Sequence, residues 1–519
     1  MSVFQTDTAP VVIDGETLTV EKLNGIAEHG VAALISDTSL DKARRGRRTL
    51  EALLRRNAAV EGVNAFDRGA AGAGRVGTAD EAELQANLVR SHSTGVGPVF
   101  SEDEARAVVT ALLGSLAKGY AGVRPVVLER LAYYLNNGLT PVVPEIGSLG
   151  AGGDTAPLAH VAATLIGEGQ VLRDGRKVAA GRVLAELGVE PLTLRFHEGQ
   201  ALLGSTSAAT GLGSLVLGRA LDQVRQAEIA AALVTEALGA GCGPFLAAGH
   251  DLARPHLGQI DTAANLRALL HGGASADGAR PRRRAARPYS LRAVPQVLGA
   301  VRHTLYQSVS TLETELNSSG DDLLFFDDGK IFYGANGHGQ QVAFAMDFMT
   351  IALNQLGALA ERQVHQVLDA GPGSGLPEQL GATGSVLHHG FAGMRHTVSA
   401  LVAENRTVGP ASTQAVGSGA LHDVVSMGLL AVRAARRVLQ NNYRILAVEF
   451  LTAVQAVDLS RRYEEIGPAA QAACDAVRLL VPPLGVDRPM AGDIELIASA
   501  LSRGEILRAV TRLGGVVPR

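Results

Sequence analysis

Several separated groups of residues in this 519-residue chain have side chains suited to chemistry. Arg292 closes the run Arg287-Pro288-Tyr289-Ser290-Leu291-Arg292. A guanidinium offers a planar, two-pronged fork that matches a carboxylate. Tyr289, three residues earlier, can donate a proton or hydrogen-bond to an oxyanion. Glu61 and His422 are titratable, and a carboxylate and an imidazole that meet can do general acid–base work near neutral pH. Ser91, His92 and Asn336 add polar groups. The last group is a glycine-rich run from Glu145 to His160, centred on Ala151-Gly152-Gly153. Each group also has a plain structural reading. Arg292 can pair with an internal acid, His92 can be a hydrogen-bonded core histidine, and Glu61 and His422 can form an ion pair or lie in solvated loops.

The run Glu145-Ile146-Gly147-Ser148-Leu149-Gly150-Ala151-Gly152-Gly153-Asp154-Thr155-Ala156-Pro157-Leu158-Ala159-His160 resembles the signature of the histidine, phenylalanine and tyrosine ammonia-lyases and aminomutases. In that family an Ala-Ser-Gly triplet closes into a methylidene-imidazolone (MIO), an electrophile. Here the middle residue is Gly152, with neither β-carbon nor hydroxyl. Other segments resemble the family as well, from about Ile13 to Leu501. Arg287 to Gly299 is similar to the stretch whose Tyr helps build the site and whose Arg holds the substrate carboxylate. Gly334-Ala335-Asn336-Gly337-His338-Gly339 is similar to a Gly-Asn-Phe-His-Gly segment, with Gly337 in place of Phe. Glu198 to Thr206 is similar to a Glu-Gly-Leu-Ala-Leu-Leu-Asn-Gly-Thr segment, with Gly204 in place of Asn. Leu421-His422-Asp423 stands where Asn-Gln-Asp is expected, and Glu61 stands where a lid loop carries the catalytic Tyr. Ser91-His92 resembles the histidine-lyase form of the segment that reads the substrate side chain.

The resemblance implies an all-α fold. An N-terminal domain, 1–200, carries the lid loop and the signature, and 201–519 forms a long helical bundle. It also implies a homotetramer whose sites draw on three subunits. Because the departures cluster at the site, the expectation is a divergent enzyme that works without MIO or any other cofactor. It would use Glu61, Tyr289 and His422 for acid–base chemistry on an anionic small molecule held by Ser91, His92, Arg292 and Asn336. A non-catalytic tetrameric binding or scaffold protein is an alternative, and so is a true ammonia-lyase with an unrecognised electrophile.

Composition narrows the class. Hydrophobic residues make up 46% and charged residues 19%, which is globular. A net charge of −4 gives no general attraction to nucleic acid or anionic membrane. Two cysteines argue against a disulfide framework. With no basic-then-apolar leader in the first residues, a cytoplasmic protein is expected. The most membrane-like stretch, Ala230 to Gly249, contains Glu236 and glycines and reads as a buried helix and its turn. The basic run Lys42 to Arg48 reads as a solvated helix face, and no metal site is expected.

Local patterns predict the elements. A hairpin is expected over Val11–Val20, a helix from Val20 to Asn57, and a mobile glycine-rich loop near Gly72–Gly77. Ser101-Glu102-Asp103-Glu104 is a capping box opening a helix to about Lys118. Long helices are expected over Ser205–Leu238, Val294–Asn317, Val342–Asp369, His389–Glu404, Leu421–Gln440 and Ile445–Leu459. A hairpin over Leu323–Tyr333 turns at Asp328-Gly329. The loop between Leu270 and Tyr289, rich in arginine, reads as exposed.

Overall fold

A computed structural model describes residues 9–67, 73–276, 288–370, 375–383, 385, 387–414, 423–516 and 518. Four long helices make the frame: Ser207–Ala237, Val294–Leu316, Gln340–Leu368 and Gly428–Ser460. Their Ala, Gly, Leu and Val residues let backbones approach closely. At Gly211 a β-carbon would lie 2.4 Å from the carbonyl oxygen of Ala107, so only glycine lets the first helix touch helix Glu102–Ala117 there. One hydrophobic core runs from Ile13 to Val510. A smaller cluster of Leu50, Val60, Val63, Phe196, Leu323 and Phe325 pins the backbone on either side of Glu61.

The capping box forms: Ser101 N–H donates to Glu104 Oε2 at 3.0 Å, and the helix runs Glu102–Ala117. The hairpin Leu323–Phe325 with Ile331–Tyr333 also forms, turning through Gly329 at φ +83°. Its neighbours are mostly helix, so the molecule is mainly helical, with only two- and three-stranded sheets among the described residues.

Four local expectations need correction. Val11–Ile13 is not half of a hairpin; it pairs in parallel with Ala33–Ile35. Asp14 instead accepts from the N–H groups of Glu16 and Thr17, at 2.8 Å each, and turns the chain into a helix. The helix expected over Val20–Asn57 is two helices, Val20–His29 and Asp37–Arg55. Gly30, at φ +66°, ends the first, and strand Ala33–Ile35 intervenes. Near Gly72–Gly77, Ala73–Arg75 is a strand antiparallel to Ala65–Asp67. Finally, Gly428–Ser460 is one helix, where the sequence suggested two broken near residue 441.

Two segments, Glu198–Ala237 and Gln340–Leu368, are long and apolar enough to cross a membrane, rather than Ala230–Gly249. The apolar window of the first is 94% buried inside the fold and that of the second 67%. The second leaves Phe344, Phe348 and Ile351 about half exposed along one side.

Glu449, at the centre of Gly428–Ser460, is 1% exposed, and neither carboxyl oxygen has a hydrogen-bond partner among the described residues. Burial pushes its pKa well above the usual carboxylate range. The folded state therefore holds this proton more tightly than the unfolded state does. The neutral form costs nothing at low pH, and stability is lost as pH rises past the unfolded value of about 4.3 toward the raised one. The expected outcome is that Glu449→Gln has little effect on the melting temperature near about pH 4, but raises it relative to the parent near about pH 8.

Candidate active site

The signature run is fixed by charge and by backbone bonds. Glu145, 8% exposed, accepts from Arg433 at 3.1 Å and Arg436 at 2.6 Å, both on helix Gly428–Ser460. Just before that helix, Ser426 Oγ donates to the Gly150 carbonyl at 2.9 Å, and Met427 N–H donates to the Leu149 carbonyl at 2.9 Å. Asp154 is buried at the start of helix Thr155–Leu165. Its carboxylate accepts from Ser148 Oγ at 2.6 Å and from Ala209 N–H at 2.8 Å. Its own N–H donates to the Ser205 carbonyl at 2.8 Å.

Burial raises the Asp154 pKa; the bonds from Ser148, Ala209 and Ala208 oppose the rise, and the charge of Glu315 adds to it. Burial raises Glu315 as well, against a 2.5 Å bond from Thr206 Oγ1. Two acids that resist ionisation thus lie behind the triplet. Sequence reasoning gave neither a role; the signal for Asp154 was its place before an apolar helical run, the position of an N-cap.

The triplet packs against backbone. Gly153 N–H donates to the Gly337 carbonyl at 3.0 Å. A β-carbon on Gly337 would lie 2.6 Å from Gly153 N and 2.8 Å from Gly204 O. One on Gly153 would lie 2.5 Å from the Gly204 carbonyl carbon. Gly153, Gly204 and Gly337 therefore meet main chain to main chain. Asp322 helps hold this contact by accepting from Gly337 N–H at 2.8 Å.

Some predicted site residues gather here. Strand Val96–Val99 pairs with Pro144–Ile146, which carries the Ser91-His92 segment beside the signature. His92 Nδ1 lies 2.9 Å from the Leu88 carbonyl and 3.0 Å from Ser91 Oγ. Asn336 adjoins Gly337 and is exposed, its amide 3.4 Å from the Ser319 carbonyl. Glu61 is exposed, and its backbone bonds to the Tyr333 hydroxyl, three residues before Asn336. Burial raises the Tyr333 pKa, and the Glu61 charge adds to the rise. His422 lies outside the described residues, as does most of the arginine-rich loop, 277–287.

Tyr289 and Arg292 do not join them within one chain. They sit on the short helix Tyr289–Arg292, where the guanidinium lies 5.4 Å from the phenol ring centre. Gln363 reaches this helix, donating to the Ser290 carbonyl at 3.1 Å. Gln363 is near the far end of helix Gln340–Leu368, whose first turn adjoins Gly337. At about 1.5 Å per residue, that places Arg292 roughly 35 Å along the helix from the triplet. Among the described residues Arg292 has no carboxylate partner, and it is exposed. The internal ion pair considered for it does not form among the described residues.

The fold and signature define a chain of the aromatic amino acid lyase type. Residues 18–479 match the Aromatic amino acid lyase family profile, and the chain belongs to that family. It is 57% identical to the MIO-dependent tyrosine 2,3-aminomutase of Streptomyces globisporus, over 98% of each chain. It is 46% identical to the tyrosine ammonia-lyase of Cupriavidus metallidurans, covering 97% of this chain and 98% of that one. The crystal structure of tyrosine aminomutase from Streptomyces globisporus superposes with a TM-score of 0.94 at 55% identity, covering 98% of this chain and all of that one. Histidine ammonia-lyase from Trypanosoma cruzi gives 0.87 at 33%, covering 97% and 95%. These relatives are enzymes.

They overturn the expectation of a cofactor-free site, since the aminomutase that shares 57% of its residues is MIO-dependent; kinship points to MIO as the cofactor of this scaffold. The triplet itself fits that group only in part. The Ala151 carbonyl and Gly153 nitrogen are the ring-closing atoms, but Gly152 brings no carbon for the methylidene, and Gly153 N–H is engaged by Gly337.

The glycine contact sets a clear expectation for stability. Gly337→Ala should lower the urea midpoint by an amount equivalent to about 1–3 kcal/mol, because backbone must move to admit the methyl. Gly393→Ala, in helix Ala392–Arg406 with open space beside it, should leave the midpoint unchanged or raise it slightly.

Proposed function

We propose that this chain acts on an aromatic α-amino acid of the tyrosine class, at its amino group. The reaction is either elimination of ammonia or a shift of the amino group from Cα to Cβ. In elimination the Cα–N bond breaks, a Cβ proton leaves, and an unsaturated acid and ammonia result; in the shift both are returned with nitrogen on Cβ. The observation that carries this reading is Arg292, an exposed guanidinium with no carboxylate partner among the described residues, in a chain whose relatives include two tyrosine enzymes. Arg292 holds the carboxylate, with Tyr289 beside it as proton donor. Ser91, His92 and Asn336 line the side-chain and triplet end, and Glu61 enters from the lid. His422 is the residue that this reading pairs with Glu61 for acid–base chemistry.

This reading requires more than one copy. Because Arg292 lies so far along the bundle from Gly153, a complete site needs Arg292 from a neighbouring chain, and we assign a homotetramer. The half-exposed Phe344, Phe348 and Ile351 provide apolar surface for such contacts. The division into 1–200 and 201–519 belongs to this proposal: the first part positions lid and triplet, the second the bundle. Two free, buried cysteines support a reducing, cytoplasmic setting. A second reading, a binding or scaffold protein, is favoured by one observation, the direct backbone packing of Gly153, Gly204 and Gly337.

The test uses the native protein and Gly152→Ser with L-tyrosine, following 4-coumarate, β-tyrosine and ammonia by chromatography and binding by calorimetry. Product from the native protein supports the proposal; product from Gly152→Ser alone shows that the scaffold holds tyrosine productively but that the native chain does not turn it over. Arg292→Lys should weaken tyrosine binding about tenfold, because an ammonium loses the two-pronged fork. Binding without product in both proteins favours the scaffold reading; neither binding nor product removes the substrate class. Light scattering should give the mass of four chains, and a stable monomer at micromolar concentration would remove the shared site.

A further inference from the structure

His197 is a buried imidazole one short helix away from the triplet. It precedes helix Glu198–Leu203, and its backbone lies at φ +72°, in the left-handed region. The side chain is fully buried, tilted edge-on to Phe325 with ring centres 5.4 Å apart. Its Nε2 lies 2.9 Å from Asp321 Oδ2, and Asp321 is buried as well. A carboxylate has no proton to give, so the imidazole donates from Nε2. Nδ1 is then a bare acceptor, with no partner among the described residues. A left-handed backbone and an unpaired ring nitrogen both oppose folding at this residue. They persist only where the surroundings fix them, and such residues gather at functional sites.

Asp321 carries the contact from His197 to the far end of that short helix. A β-carbon on Gly204, the residue after the helix, would lie 3.3 Å from Asp321 Oδ1. One on Gly320 would lie 2.9 Å from the Ser205 β-carbon. Segment 319–322 is therefore laid directly on residues 204–206. The same segment holds the strip opposite the triplet. Asp322 Oδ1 accepts from Gly337 N–H at 2.8 Å, and the Asp322 carbonyl accepts from Gly334 N–H at 2.8 Å. The Ser319 carbonyl lies 3.4 Å from the Asn336 amide. The Gly337 carbonyl in turn accepts from Gly153 N–H at 3.0 Å. From the imidazole to the triplet nitrogen, the path is two adjacent acids and one glycine.

We infer that His197 is a positioning residue for the triplet. Its bond to Asp321 fixes segment 319–322 against residues 204–206, and through Asp322 that segment sets where the Gly337 carbonyl meets Gly153 N–H. The Gly153 nitrogen is one of the ring-closing atoms, so His197 governs whether that nitrogen is held or free. The inference concerns the placement of the triplet and does not depend on the tyrosine reading.

His197→Gly tests this, because glycine adopts the left-handed backbone without strain and only the imidazole is removed. Hydrogen–deuterium exchange is read by mass spectrometry on the full-length protein. Exchange should quicken about tenfold in peptides covering 150–155 and 334–339, the scale of a lost charge-assisted hydrogen bond, and stay unchanged in helix Glu102–Ala117. Added imidazole should refill the space and slow both peptides again. Furan, a ring of the same size without an N–H, should not. Unchanged exchange at the triplet overturns the inference. So does a rise that extends to Glu102–Ala117, which is a general loss of stability, or recovery with imidazole no better than with furan, which is packing alone. If His197→Gly does not fold, Asp321→Asn decides. It keeps the shape but removes the charge from the bond, and it should quicken the same two peptides several-fold. No change in them overturns the inference.

Discussion

The architecture turns on one buried carboxylate. Asp154 has a hydroxyl of its own loop on one oxygen and the first turn of helix Ser207–Ala237 on the other. Its backbone meanwhile bonds the segment that leads into that helix. A carboxylate at a helix N-terminus is favoured by the unpaired N–H groups and the dipole there. At Asp154 that attraction works against desolvation, and desolvation is the larger cause. A loop of glycines has little stiffness of its own. It is placed by the groups around it: Asp154, the Glu145 pairs with Arg433 and Arg436, and the bonds from Ser426 and Met427.

Much of the frame was legible because its signals are local. The capping box at Ser101 is four consecutive residues, and the Asp328-Gly329 turn is two flanked by apolar strands. The long helices announce themselves by length and apolar content. Pairing of Val11–Ile13 with Ala33–Ile35 was not legible, since a parallel partner lies beyond an intervening helix. The polar run Asn441-Asn442-Tyr443-Arg444 looked like a break between helices. In the fold Asn441 and Asn442 are buried, bonding Asn405 at 2.9 and 3.0 Å, and Asn442 also caps the Leu353 carbonyl at 2.8 Å. Those partners come from other helices, so the asparagines support one continuous helix.

The site was legible in its parts and not in its assembly. Sequence motifs named Arg292, Asn336 and the triplet, but spacing along a chain says nothing about which end of a bundle a motif occupies. The family profile and the full-length relatives establish the kinship that the motifs suggested, and they correct the inference drawn from Gly152 about the cofactor. A single absent β-carbon describes what Gly152 can supply; the kinship with an MIO-dependent enzyme concerns the scaffold that surrounds it.

Helix Gln340–Leu368 acts as a ruler. Its first turn follows Gly337, and near its last turns Gln363 holds the segment that carries Arg292. An inserted or deleted residue in a helix rotates everything beyond it by about 100° and slides it by about 1.5 Å. Such a change between residues 340 and 363 would leave both ends well formed and turn them to different azimuths. In an assembly that reads the two ends in different copies, the error would be repeated at every site. Length is therefore the quantity this helix cannot vary. Descendants of this chain should tolerate insertions in the loops around Asp174 and Asp328 and reject them in the interior of that helix.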